Sequence, residues 1–152
     1  LVADDLTSSF SINVVAPFLL VQGLKDLLQK YRGQVINISS IHAKLTKKNF
    51  LSYSVTKTAL DGLTRACALE LSHLVTINSV SPAAIDTEML RKGFDSDDSL
   101  RKLKEYHPAG RIGNSKDLAT LVKGITDQNN SFLSGSIIDY SGAINGALHD
   151  PY

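Results

Sequence analysis

The sequence predicts an α/β fold built on a parallel sheet. Three features lead there: two long stretches with apolar residues at a 3.6-residue period, short apolar β-branched runs between them, and the alternation of the two along the chain. The first helix is expected over residues 4–31, where Phe10, Val14, Val15, Phe18, Leu19, Leu24, Leu27 and Leu28 follow the helical period. Pro17 lacks an amide proton and crowds the preceding turn, so it should kink or interrupt this helix. Gly33, after Lys30, Tyr31 and Arg32, is a helix stop. Gln34 to Ser40 contain Val35, Ile36, Asn37 and Ile38 and read as a buried strand.

Residues 41–50 form a polar, lysine-rich loop, and residues 51–73 a second helix carrying Leu60, Leu63, Ala66, Cys67 and Leu71. Val75 to Val80 is a second buried strand, closed by Ser81-Pro82. Residues 83–110 read as irregular apart from a short helix near Ser99 to Glu105. Asn114-Ser115 can cap a helix running to about Asp127. A third strand is expected at Ser136 to Asp139, followed by an irregular tail, 141–152. Three strands are few for a free-standing parallel sheet. The opening Leu1-Val-Ala-Asp-Asp reads as the middle of a chain, and an N-terminal truncation is the expectation.

The 152 residues suit one domain or part of one, and 43% hydrophobic residues supply a core. Sixteen Lys and Arg against fifteen Asp and Glu give a net charge of +1, which makes no electrostatic case for nucleic acid or membrane as partners. The longest apolar run, Val14 to Val21, is interrupted by Pro17 and is too short to span a bilayer. A single cysteine, Cys67, excludes an intrachain disulfide framework and fits a reducing compartment; with no signal-peptide pattern, a cytoplasmic location is expected. Cys67 falls on the apolar side of its helix and reads as a packed thiol rather than a nucleophile.

Tyr53 and Lys57 carry the clearest chemistry. Four residues apart at the start of the second helix, they share one face. An ammonium beside a phenol favours the phenolate, and a tyrosine so placed can exchange protons with an alcohol or ketone. Parallel sheets form their sites at the carboxyl ends of strands. Ser39 and Ser40 end the first strand and Pro82 to Thr87 follow the second, so both should open on the edge where Tyr53 begins its helix.

These residues resemble the short-chain dehydrogenases/reductases over essentially the whole chain. Tyr53 and Lys57 match the family's Tyr-x-x-x-Lys. Asn37-Ile38-Ser39-Ser40 is similar to its strand-end serine motif, with Ser40 thirteen residues before Tyr53; Ile12-Asn13-Val14 is similar to its helical asparagine motif, and Ser81 to Thr87 to its Pro-Gly-x-x-x-Thr segment. The resemblance implies a Rossmann-like, doubly wound parallel sheet, of which residues 1–152 are the C-terminal portion, three strands with flanking helices. It implies an NAD- or NADP-dependent oxidoreductase that interconverts a small-molecule alcohol and a ketone or aldehyde. Tyr53 would be the general acid or base. Lys57 would tune it and bind the nicotinamide ribose, Ser40 would hold the substrate oxygen, and Asn13 would anchor a water in a proton relay. Pro82, Ala83, Ile85 and Thr87 would line the nicotinamide end.

The resemblance further implies a homodimer or homotetramer, with helices 4–31 and 51–73 in one interface and the third strand with its preceding helix in another. Two departures stand against it. The family's glycine-rich phosphate turn is not in this sequence, and Ala83 stands where the family usually has glycine, a methyl that could crowd the nicotinamide. The charged stretch Met89 to Gly110, with Arg91, Lys92, Asp95, Asp97, Asp98, Arg101, Lys102, Lys104 and Glu105, corresponds to the substrate lid and reads as a solvated mobile loop. His42 and His107 read as surface histidines, and Lys44, Lys47 and Lys48 as a solvated face. The alternative function is a non-catalytic dimerisation or regulatory module of the same fold, or an inactive fragment.

Overall fold

A computed structural model describes residues 2–94, 96–127 and 130–148. Leu1, Asp95 of the charged stretch and tail residues 149–152 lie outside the described residues. Three strands, β1 (Gln34–Ile38), β2 (Thr76–Pro82) and β5 (Ile137–Tyr140), form a parallel sheet in the order β1-β2-β5. Gln34 pairs with Thr76 and Ile38 with Val80; on the other side Ser79 pairs with Ile137 and Pro82 with Tyr140. Two short strands, β3 (Ile85–Asp86) and β4 (Gly113–Asn114), make a separate parallel pair.

The first helical stretch is three elements: α1 (Ala3–Phe10), a π-turn at Ser11–Val15, and α2 (Ala16–Lys30). Pro17 is the cause. It has no amide proton to give the carbonyl of Asn13, four residues back, so the ladder shifts by one residue and the Ala16 amide donates to Ser11 O. At the end of α2 the left-handed residue is Arg32 (φ 50°), while Gly33 serves for space. Its amide donates to Leu28 O over 2.7 Å, and a Cβ there would stand 2.7 Å from Leu28 Cδ2.

Helix α3 (Leu51–Glu70) stops three residues short of the expected end and packs on β2. Ala68, Leu71, Val75 and Ile77 form the core, flanked by Val21, Leu28, Val35 and the half-buried Cys67. The Cys67 thiol is pushed up by burial and by Glu70, which suits a packed, unreactive sulfur. β2 is buried from Ile77 to Pro82, and Asn78 within it is satisfied at both ends: its side chain donates to Leu133 O and accepts from the Ser136 amide.

Four expectations need correction. β1 is only half-buried, with Ile38 45% exposed, because one side of the strand is an open sheet edge. β2 runs on through Ser81-Pro82, since a proline at the last position of a strand removes only a terminal donor. Residues 83–110 hold the expected short helix, α5 (Asp97–Tyr106), where Arg101 pairs with Asp98 and Glu105, and Lys102 with Asp98, but the rest is more ordered than expected, into β3 and α4 (Glu88–Lys92). The tail holds a 3-10 turn at Ile144–Gly146. Helix α6 (Ser115–Asp127) begins where expected, with Asn114 Oδ1 accepting the Lys116 amide.

By length and composition the stretch Ala3–Lys30 is long and apolar enough to cross a membrane, with a mean hydropathy of 1.3 over an 18-residue window. That exceeds what the interrupted run Val14 to Val21 suggested. In the structure α1 and the π-turn pack on α3, and α2 on β1.

Ile77, with no exposed surface at the centre of the core, sets the first prediction. Ile77→Ala should lower the unfolding free energy by about 2–5 kcal/mol in a urea titration. A loss below about 1 kcal/mol would contradict the packing described.

Candidate active site

Because the sheet is parallel, Ser39 and Ser40 after β1, Ala83 to Thr87 after β2 and Ser141 after β5 lie on one edge. Lys57 is tied to this edge. Its ammonium donates to the carbonyl of Ile38 over 2.8 Å and lies 5.6 Å from the centroid of the Tyr53 ring. Burial lowers the affinity of Lys57 for its proton, and the carboxylate of Asp61, one turn further along α3, acts in the opposite direction. Asp61 is itself buried and accepts from the Ser79 hydroxyl over 3.2 Å.

Asn13, in the π-turn, donates to Thr56 Oγ1 over 3.1 Å, and Thr56 donates in turn to the Tyr53 carbonyl over 3.0 Å. The asparagine is thereby fastened to the turn of α3 that carries Tyr53. Ser40 is buried, and its hydroxyl oxygen accepts the His42 amide over 3.2 Å, which leaves the hydroxyl proton free to donate.

Asn13, Lys57 and β1 residues Asn37 and Ile38 line one groove of about 450 Å³, with Leu20 and Leu24 of α2 on its other wall. Ala83 lines a separate cleft of about 130 Å³ with His107, Tyr140 and Ser141. Ser40 and Tyr53 line neither of these two. Pro82 is buried in the sheet; Ile85 is half-buried in the β3–β4 pair, and Thr87 Oγ1 caps α4 by accepting the Leu90 amide over 3.2 Å. The Ala83 amide is occupied by Tyr140 O at 3.0 Å, and Ala83 is not among the residues with positive φ, so its methyl imposes no backbone strain.

Other polar residues depart from their expected surface roles. His107 is buried, with Nδ1 2.8 Å from Leu103 O. His42 is half-buried, stacked on Phe50 at 4.5 Å between centroids and edge-to-face with Tyr53 at 5.7 Å. Lys47 lies 4.5 Å from the Phe50 centroid. Lys44 donates to both oxygens of Asp139 at 2.7 Å, and Asn145 donates to the same carboxylate over 2.8 Å. These contacts fasten residues 41–50 to α3 and to the end of β5. Sequence reading did not single out Thr56, Asp61, Phe50 or Asp139. Only Thr56 and Asp61 left a trace there, as polar residues on the buried side of an amphipathic helix.

Known proteins share this arrangement of elements. Residues 1–144 match the family model described as enoyl-(acyl carrier protein) reductase. The chain is 40% identical over 134 residues to human dehydrogenase/reductase SDR family member 2, mitochondrial, covering 87% of this chain and 48% of that protein. It is 30% identical to the 3-oxoacyl-[acyl-carrier-protein] reductase FabG of Aquifex aeolicus, covering 92% and 56%. A solved structure of ElxO with NADP bound superposes with a TM-score of 0.79 at 29% identity, covering 89% and 56%. The chain spans about half the length of these relatives.

Burial and the positive charge of Lys47 both push the His42 imidazole below its ordinary 6.5. The folded state then binds fewer protons than the unfolded chain once pH falls through that value, so acidification below it costs stability. An NMR titration should find His42 below 6.5, and Lys47→Gln should raise it. A wild-type value at or above 6.5 contradicts the burial described.

Proposed function

The chain belongs to the short-chain dehydrogenase/reductase family, and from that premise we propose that its site interconverts an alcohol and a ketone or aldehyde with NAD or NADP. The observation that carries the reading is the Lys57 ammonium, held at Ile38 O and beside the Tyr53 ring at the carboxyl edge of a parallel sheet. The residues present fit the nicotinamide end of such a cofactor. Lys57 gives one of its three protons to Ile38 and keeps two for a ligand. Thr87 accepts at its cap and retains its hydroxyl proton. No glycine-rich phosphate turn occurs in these 152 residues, so the fit concerns that end alone.

When bound, the nicotinamide supplies or accepts the hydride. Tyr53 gives its phenolic proton to the carbonyl oxygen in reduction and takes it back in oxidation. Ser40 donates its free hydroxyl proton to the same oxygen. Lys57 stabilises negative charge on the phenol, and because burial loosens its own proton it is suited to pass one on. Asn13, on the same groove, gives that proton a polar route past the π-turn.

The family reading also supports assembly with further copies of the chain. Phe18, Leu19 and Leu27 on α2 and Val55 and Leu69 on α3 are exposed, Leu69 by 76%. These residues do not line the groove beside β1.

Isothermal titration with NADH and NADPH, with turnover of a ketone panel, tests the function. With a glycine-rich phosphate-binding segment of the family joined ahead of it, the chain should bind at least one coenzyme, and Tyr53→Phe should cut turnover about 100-fold or more while leaving coenzyme affinity within a few-fold. Undiminished turnover in Tyr53→Phe would remove its assigned role. A folded chain that binds neither coenzyme would favour a non-catalytic module. For assembly, sedimentation should give a multimer that Leu19→Glu shifts toward monomer; a wild-type monomer at micromolar concentration would contradict it.

A further inference from the structure

We infer that His42 is a positioning residue that sets the Ser40 hydroxyl and the Tyr53 phenol in register. The inference rests on the proposed roles of Ser40 and Tyr53. It goes beyond them by giving a task to a side chain outside the acid–base set.

Three kinds of contact converge on this residue. Its amide donates to Ser40 Oγ over 3.2 Å, which holds that oxygen in place and leaves its proton free. Its carbonyl accepts from Ser54 Oγ over 2.7 Å, and Ser54 is the residue after Tyr53 on α3. Its ring stacks on Phe50 with planes 15° apart and meets the Tyr53 ring at 75°. Phe50 adds an edge-to-face contact with Tyr53, centroids 6.1 Å apart, and Lys47 stands over Phe50. The result is a column, Lys47–Phe50–His42–Tyr53, with the hydroxyl of Ser40 attached through the backbone of its third member. Edge-to-face aromatic contacts are directional, so the column restrains the tilt of the phenol as well as its location.

The ring acts here as a flat, uncharged surface. Burial and Lys47 both oppose its protonation. Nδ1 faces Thr46 Oγ1 at 3.4 Å, and the charge of Lys47 acts on the ring. Lys44, on the same segment, is neutralised by Asp139. A phenylalanine would therefore do what the imidazole does at this position, whereas alanine would remove one of the two rings that back Tyr53. Two catalytic groups must meet one substrate oxygen, and an error of about 1 Å in such a pair can cost about 100-fold in rate.

The test compares His42→Ala, His42→Phe and Phe50→Leu, each checked for folding by circular dichroism, in ketone turnover and in NMR of ring-labelled tyrosine assigned through Tyr53→Phe. His42→Ala should lower kcat about 10-fold to 100-fold with KM changed less than about 3-fold, and should move the ring-current-shifted Tyr53 signal toward its unfolded position. His42→Phe should restore both kcat and the shift, and Phe50→Leu should fall between. Wild-type kcat in His42→Ala, a change in KM alone, or a His42→Phe variant as impaired as His42→Ala would overturn the inference. If Tyr53→Phe retains full turnover, the functional reading fails. The NMR arm then still decides the column: an unmoved Tyr53 signal in His42→Ala refutes it.

Discussion

The site depends on one hydrogen bond, from the Lys57 ammonium to the carbonyl of Ile38. A half-buried cation must find an acceptor, and the last carbonyl of β1 serves Lys57 as one. The bond ties the first turns of α3 to the end of the strand that delivers Ser40. It also fixes the lysine against Tyr53, because the two residues lie one helical turn apart. The rest of the arrangement is support. Thr56 links the Tyr53 turn to Asn13, Asp61 supplies opposite charge behind Lys57, and Ser79 holds Asp61 in place.

A second constraint is Pro17. Its missing amide proton breaks the regular ladder where Asn13 sits, and the π-turn that results directs the asparagine side chain toward α3. A helix interruption that looks like a defect in the sequence is thereby the device that brings Asn13 to the site. The open edge of β1 and the apolar wall of α2 face each other across the same groove, so the strand bearing the candidate site is only partly covered.

Much of this was legible in the sequence. Periodicity separates helix from strand, so the outer bounds of the first helical stretch, α3, α6 and the three sheet strands were found within a few residues, and the spacing of Asn13, Ser40, Tyr53 and Lys57 pointed to proton chemistry at one edge. Contacts between residues far apart in the chain were not legible. Lys44 reads as a surface lysine until Asp139, ninety-five positions away, is beside it. His107 carries no local sign that it will be buried. Helix α5 was legible as a short helix near Ser99 to Glu105, whereas α4 escaped because it is five residues long with a Glu88–Lys92 ion pair rather than an apolar face, and a dense run of charge reads as loop. The run in β1 reads as buried because an apolar run looks the same in a central strand and at an edge.

The central claim is that Tyr53 and Lys57 act as one unit. A double-mutant cycle with Tyr53→Phe and Lys57→Met, read in ketone turnover, tests it most directly. The account predicts strong non-additivity, with the double variant no slower than the slower single variant within about 3-fold. Losses that multiply, so that the double variant falls by the product of the two single effects, would show two independent residues and contradict it.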